Sequence, residues 1–136
     1  MRKLIVAIGL SCACGFAAFE VSAEVVVVVN PKNAASQMTP EQVSQYFLGK
    51  STSLTPVDQA EGSAIRAEFY KKVADKEPGQ VKAIWSKLVF TGKGALPKEV
   101  SSSADVKKAV AADANGIGYI EKSAVDSSVK VVATLP

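Results

Sequence analysis

Glu24-Val25-Val26-Val27-Val28-Val29-Asn30-Pro31 sets five consecutive valines between an acid and a chain stop. An unbroken β-branched run of this length reads as a strand covered on both faces. Such a strand belongs to a parallel or mixed sheet with helices on each side. Asn30-Pro31 ends it.

Downstream, the pattern alternates. Thr39-Pro40-Glu41-Gln42 is a helix start, with Thr39 as N-cap, Pro40 at the first position and Gln42 completing a capping box. Val43, Tyr46 and Phe47 share one face of that helix, and Gly49 closes it. Leu54 to Gln59 reads as a second strand, with Pro56 near an edge or a strand start. Ile65, Phe69 and Val73 form the buried stripe of a second helix. Val81, Ile84, Trp85 and Leu88 do the same for a third, after the break at Pro78-Gly79. Val100 suits a short strand. Ser102 or Ser103 caps a fourth helix carrying Val106, Ala109 and Val110, which Asn115-Gly116 ends. Ile117–Ile120 and Val129–Ala133 are closing strands. Strands alternating with helices define an α/β domain with a mixed sheet flanked by helices.

Working back toward the N-terminus, Met1-Arg2-Lys3 is followed by an uncharged apolar stretch from Leu4 to Phe19. Val21-Ser22-Ala23 then offers small residues where a signal peptidase reads. The expectation is an export signal over residues 1–23, cleaved after Ala23, and a mature domain over 24–136 in a bacterial periplasm. A membrane anchor fits less well, because the stretch is short for a span. A lipid on Cys12 or Cys14 lacks the usual preceding residues. Both cysteines leave with the signal, so the mature chain depends on its core alone, with 14 basic and 12 acidic side chains.

Composition narrows the chemistry. The 136-residue chain has no histidine, which removes Ser-His triads and the common zinc sites. A net charge of +3, with lysines scattered among acids, does not make a nucleic-acid stripe. No run of carboxylates has metal-loop spacing. Gly92-Lys93-Gly94 fails as a phosphate loop, since Gly94 stands where Ser or Thr is needed. Gly116-Ile117-Gly118-Tyr119 is no dinucleotide fingerprint, and Ser127 with Lys130 is a chance spacing. Neither an enzyme, a metal site nor a cofactor is expected.

One segment can carry binding chemistry, Glu61-Gly62-Ser63-Ala64-Ile65-Arg66, between a strand and a helix. The first amides of a helix have no backbone partner and sit at the positive end of its dipole. A small oxyanion could be held by the Ala64 and Ile65 amides and the Ser63 hydroxyl, with Gly62 allowing the turn and Arg66 adding a charged fork. The plainer reading makes Ser63 a cap, Gly62 a turn residue and Arg66 a solvated side chain.

The ordered set Asn30-Pro31, Tyr46-Phe47-Leu48-Gly49-Lys50, Pro56-Val57, Glu61-Gly62-Ser63-Ala64-Ile65-Arg66, Trp85, Phe90-Thr91-Gly92-Lys93-Gly94 and Gly116-Ile117-Gly118-Tyr119-Ile120 resembles the phosphate ABC transporter substrate-binding proteins. More narrowly, it resembles their short single-domain relatives. The resemblance implies a single lobe of a type II periplasmic-binding-protein-like fold. It also implies an exported solute-binding protein for phosphate or a similar oxyanion, serving transport or sensing. Its partners would be a membrane transporter, porin or sensor, or a second copy. In that family a Ser-Gly-Thr-like turn at a helix start holds the ligand. Ser63 matches the serine, while Ala64 and Ile65 fall where the family has Gly and Thr. Gln59 falls near the family's arginine. The first lobe's phosphate loop has a counterpart only if Asn30 to Ser36 takes that role. The alternative is a ligand-free interaction module that kept the lobe and acts through a protein partner.

Overall fold

The computed structural model describes residues 24–136. The expected export signal, residues 1–23, lies outside them. The elements run β1 (Val25–Val29), α1 (Pro40–Phe47), β2 (Thr55–Gln59), α2 (Ala64–Ala74), α3 (Pro78–Phe90), β3 (Lys98–Val100), α4 (Ser103–Ala112), β4 (Gly116–Glu121) and β5 (Lys130–Leu135). The strands form one mixed sheet in the order β3-β2-β4-β1-β5. β2 lies parallel to β3 and β4, and β1 is antiparallel to β4 and β5.

The valine run behaves as its pattern predicts. Val25, Val27 and Val29 enter one core with α1, α2 and α3, while Val26 and Val28 enter a second with α4. All five are buried, because successive strand side chains point to opposite faces and both faces are roofed. Pro56 lies opposite Ile117 of β4, and β2 gains its second neighbour only at Val57, paired with Lys98. The missing amide therefore costs no ladder bond on the β3 side.

Thr39 forms the expected capping box, its hydroxyl accepting from the Gln42 amide at 3.2 Å and its amide donating to Gln42 Oε1 at 2.9 Å. The larger core is aromatic. Phe69 stacks on Tyr119 at 3.9 Å between centroids, and Phe47 meets Phe69 edge-on at 4.7 Å. Trp85 Nε1 donates to the Phe47 carbonyl at 2.7 Å, which ties α3 to the end of α1. These contacts fix α2 against the sheet, and with it the position of the helix start at Ser63.

Strand direction separates the two candidate loops. Thr55 pairs with Gly116 and Val57 with Gly118, so the carboxyl end of β2 lies toward Glu121. Val29 pairs with Ile117 and Val25 with Glu121, so β1 ends at the opposite edge. The segment 30–36 thus leaves the sheet at the far end from Ser63. Its polar groups hold the fold: Asn30 Nδ2 donates to the Val110 and Ala111 carbonyls, both at 3.0 Å, and Asn33 Nδ2 to the Ala114 carbonyl at 3.0 Å. It closes off the C-terminal end of α4 and is no counterpart of a phosphate loop facing Ser63.

Candidate functional site

β2 and β3 are parallel neighbours whose following helices lie on opposite faces: α2 and α3 on one, α4 on the other. The crevice outside the carboxyl ends of two such strands is where open α/β sheets bind ligands. Here the Ala60 amide donates to the Val100 carbonyl at 2.9 Å, so the starts of α2 and α4 open onto the same ground. Gln59 Nε2 reaches Ser103 Oγ at 3.4 Å across it.

The two helix starts differ. At α4 the Ser102 hydroxyl accepts from the Asp105 amide at 3.2 Å, and the Asp105 carboxylate accepts from the Ser101 and Ser102 hydroxyls. Those hydrogen bonds hold the Asp105 carboxyl below the usual range, so the positive end of that helix already has its anion. At α2 no acid occupies the first turn, and the Ser63 side chain makes no capping hydrogen bond. Gly62 adopts φ +84° to turn the chain, and the Ser63 amide is used on the Ala60 carbonyl at 3.1 Å. The amides of Ala64 and Ile65 are first-turn donors without an intrahelical partner. Gly62 and Ala64 are exposed and Ser63 is half-buried, while the Ile65 side chain packs into the core. Glu61 is turned away to Lys82 at 3.0 Å, and that hydrogen bond holds its carboxyl below the ordinary value. No carboxylate caps this helix start, and its first turn is open at Gly62 and Ala64.

Arg66 stands elsewhere than an open fork or a solvated chain would. It is 7% exposed. Nη1 donates to the Gln59 carbonyl at 2.8 Å and to Glu99 Oε1 at 2.6 Å, and Nη2 lies 3.8 Å from Asp58 Oδ2. Nε–H is buried without a partner. Burial works against the cation, but the Asp58 charge foremost, then the Tyr70 phenol and the Glu99 hydrogen bond, hold its pKa above the ordinary value. Its Nη1 donors are spent on Gln59 and Glu99, and the guanidinium is held within the protein. Gln59 is also turned inward, donating to the Tyr119 carbonyl at 3.0 Å.

Asp58 is a site residue that the sequence analysis does not single out. It is 2% exposed and accepts from the Gln59 amide at 2.8 Å, from Tyr70 Oη at 2.5 Å and from Tyr119 Oη in a short hydrogen bond. Burial, and then the Asp58 charge, push both phenols far above their ordinary range. The available signal was Arg66 and Tyr70 at four-residue spacing beside an acid in a strand. A cavity of about 320 Å³ borders the cluster, lined by Asp58, Arg66, Glu99, Lys82, Trp85 and Leu96 among others. Among the described residues no group of three or more His, Cys, Asp and Glu could hold a metal ion.

Neither a protein-family profile nor a curated protein matches the chain in sequence. Solved structures do match its fold. A protein assigned as a phosphate ABC transporter substrate-binding protein, with bound phosphate, from Clostridium perfringens superposes with TM-score 0.64 and 22% identity over 80% of this chain and 44% of that one. An ABC-type phosphate transport receptor from Vibrio cholerae gives 0.62 and 21% over 80% and 45%. PstS from Borrelia burgdorferi gives 0.56 and 11% over 81% and 46%. The chain therefore has the α/β fold of a periplasmic-binding-protein lobe. It spans less than half the length of those structures.

Proposed function

We propose that the chain is an exported, non-enzymatic solute-binding lobe that seats phosphate or a similar oxyanion at the start of α2. The observation that carries this reading is the open helix start at the β2/β3 crevice: a Ser63 hydroxyl making no capping bond, free first-turn amides and no acid in the first turn. The likeness to phosphate-binding proteins supports phosphate as the first anion to test. Gly62 shapes the turn, Ser63 Oγ and the Ala64 and Ile65 amides donate, and Arg66, paired with Asp58 and Glu99, holds the end of β2 behind them rather than bonding the anion. The partners are a periplasmic transport or sensing system, through a membrane transporter, porin or sensor, or a second copy.

A single lobe leaves the ligand largely wet, so hydrogen bonds to it are worth little and affinity by the lobe alone is roughly millimolar. Calorimetry with phosphate and sulfate tests the reading. Weak saturable heat that Ser63→Asp abolishes supports it, because a fixed carboxylate would fill the seat. No heat from folded wild type overturns it. The second reading, an interaction module without ligand, is favoured by the inward Gln59 and the committed Arg66.

A further inference from the structure

Three of the four exposed large hydrophobic residues among the described residues fall in one stretch: Phe90 is 92% exposed, Leu96 66% and Val89 43%. The same stretch is the most basic in the chain. Between Glu77 and Glu99 there are four lysines, Lys82, Lys87, Lys93 and Lys98, and no carboxylate. Lys82 is engaged by Glu61, whereas none of the ion pairs among the described residues includes Lys87, Lys93 or Lys98.

The geometry gathers these residues at the C-terminal end of α3. The loop after the helix folds back over it: a Cβ on Gly94 would lie 3.6 Å from the Trp85 ring and 3.7 Å from Leu88 Cβ. Leu96 lines a cavity with Ser86, one helical turn before Phe90. Phe90 and Leu96 therefore protrude from adjoining ground, with Lys87 one turn before Phe90 on α3 and Lys93 in the loop between them.

From this we infer that the end of α3 and its loop dock on an anionic lipid surface. Aromatic and aliphatic side chains that enter the acyl boundary, flanked by lysines that meet headgroup phosphates, are the pattern of interfacial anchoring. The size of the patch separates this occupant from an acidic protein. Three side chains offer on the order of 350 Å² of apolar surface, against about 800 Å² per partner in a stable protein interface. A side chain that touches almost nothing of its own chain also suits a fluid surface better than a shaped pocket. The patch borders the cavity reaching Arg66, so docking would set the proposed anion seat close to a membrane.

The test uses the full chain in flotation with phosphatidylcholine vesicles and with mixed phosphatidylcholine–phosphatidylglycerol vesicles. The wild type should partition preferentially to the anionic vesicles and lose that preference in molar salt. Phe90→Ser with Leu96→Ser should cut partitioning by at least about a hundredfold. Lys87→Gln, Lys93→Gln and Lys98→Gln together should cut it on the order of a hundredfold. All these positions are exposed, and thermal melts matching the wild type keep the comparison one of surfaces. Equal partitioning to both vesicles, or binding indifferent to both sets of substitutions, would each overturn the proposal.

Discussion

Arg66→Met is the sharpest perturbation of the scaffold behind the seat. Met keeps the length and apolar packing of the arginine stem but removes the cation 3.8 Å from the buried Asp58 carboxylate. Removing one partner of a buried pair costs about 3–5 kcal/mol, because the other charge is left without compensation. Asp58 still accepts from Tyr70, Tyr119 and the Gln59 amide, so the lower end, about 3 kcal/mol, is expected. A domain of this size has roughly 5–15 kcal/mol in hand, so the variant should remain folded and measurable. Urea denaturation followed by Trp85 fluorescence reads the difference. Adding Asp58→Asn to Arg66→Met removes the stranded charge and should restore at least about 1 kcal/mol. A loss under about 1 kcal/mol for Arg66→Met, as for a surface pair, refutes the reasoning. So does a double variant no more stable than the single one.

Alkaline pH probes the same cluster from the phenol side. Tyr70 and Tyr119 keep their protons in the folded state far above the ordinary value, while the unfolded chain releases them near pH 10. Above about pH 10 the folded state then holds more protons than the unfolded one. Stability should be flat below that point and fall by up to about 2.7 kcal/mol per pH unit beyond it. Urea midpoints unchanged between about pH 9 and about pH 11 would contradict this. Gly118→Ala tests the tight approach of α4 to β4. Its Cβ would stand 2.5 Å from Val106 Cγ1 and 3.2 Å from Val110 Cγ2, against stiff valine side chains. A loss of about 1–3 kcal/mol in chemical denaturation is expected, partly recovered by Val106→Ala.

Local chemistry was legible where a single segment determines its own geometry. The capping box at Thr39 and Gln42, the stripe Ile65-Phe69-Val73 and the two-faced valine strand need only nearest-neighbour rules, and each takes the expected form. Strand direction was not legible. That β1 runs antiparallel beside β4 follows from which hydrophobic faces meet, and only this reveals that Asn30 to Ser36 lies at the wrong end of the sheet for Ser63. Within the site, Gly62, Ser63, Ala64 and Ile65 fall together because they are contiguous. The placement of Arg66 depends on Asp58 and Glu99, eight residues before it and far after it, and a buried acid cannot be told from an exposed one until its donors are known. The open state of the α2 start was equally hidden. A serine at an N-cap looks the same in sequence whether its hydroxyl caps, as at Ser102, or stays free, as at Ser63.

Resonances of the Ala64 and Ile65 backbone amides, followed during a phosphate titration, report on the seat itself. The account predicts saturable downfield shifts at these two positions, at roughly millimolar phosphate, with the amides at the start of α4 unmoved. Ala64 and Ile65 signals that stay fixed while the protein remains folded would contradict it.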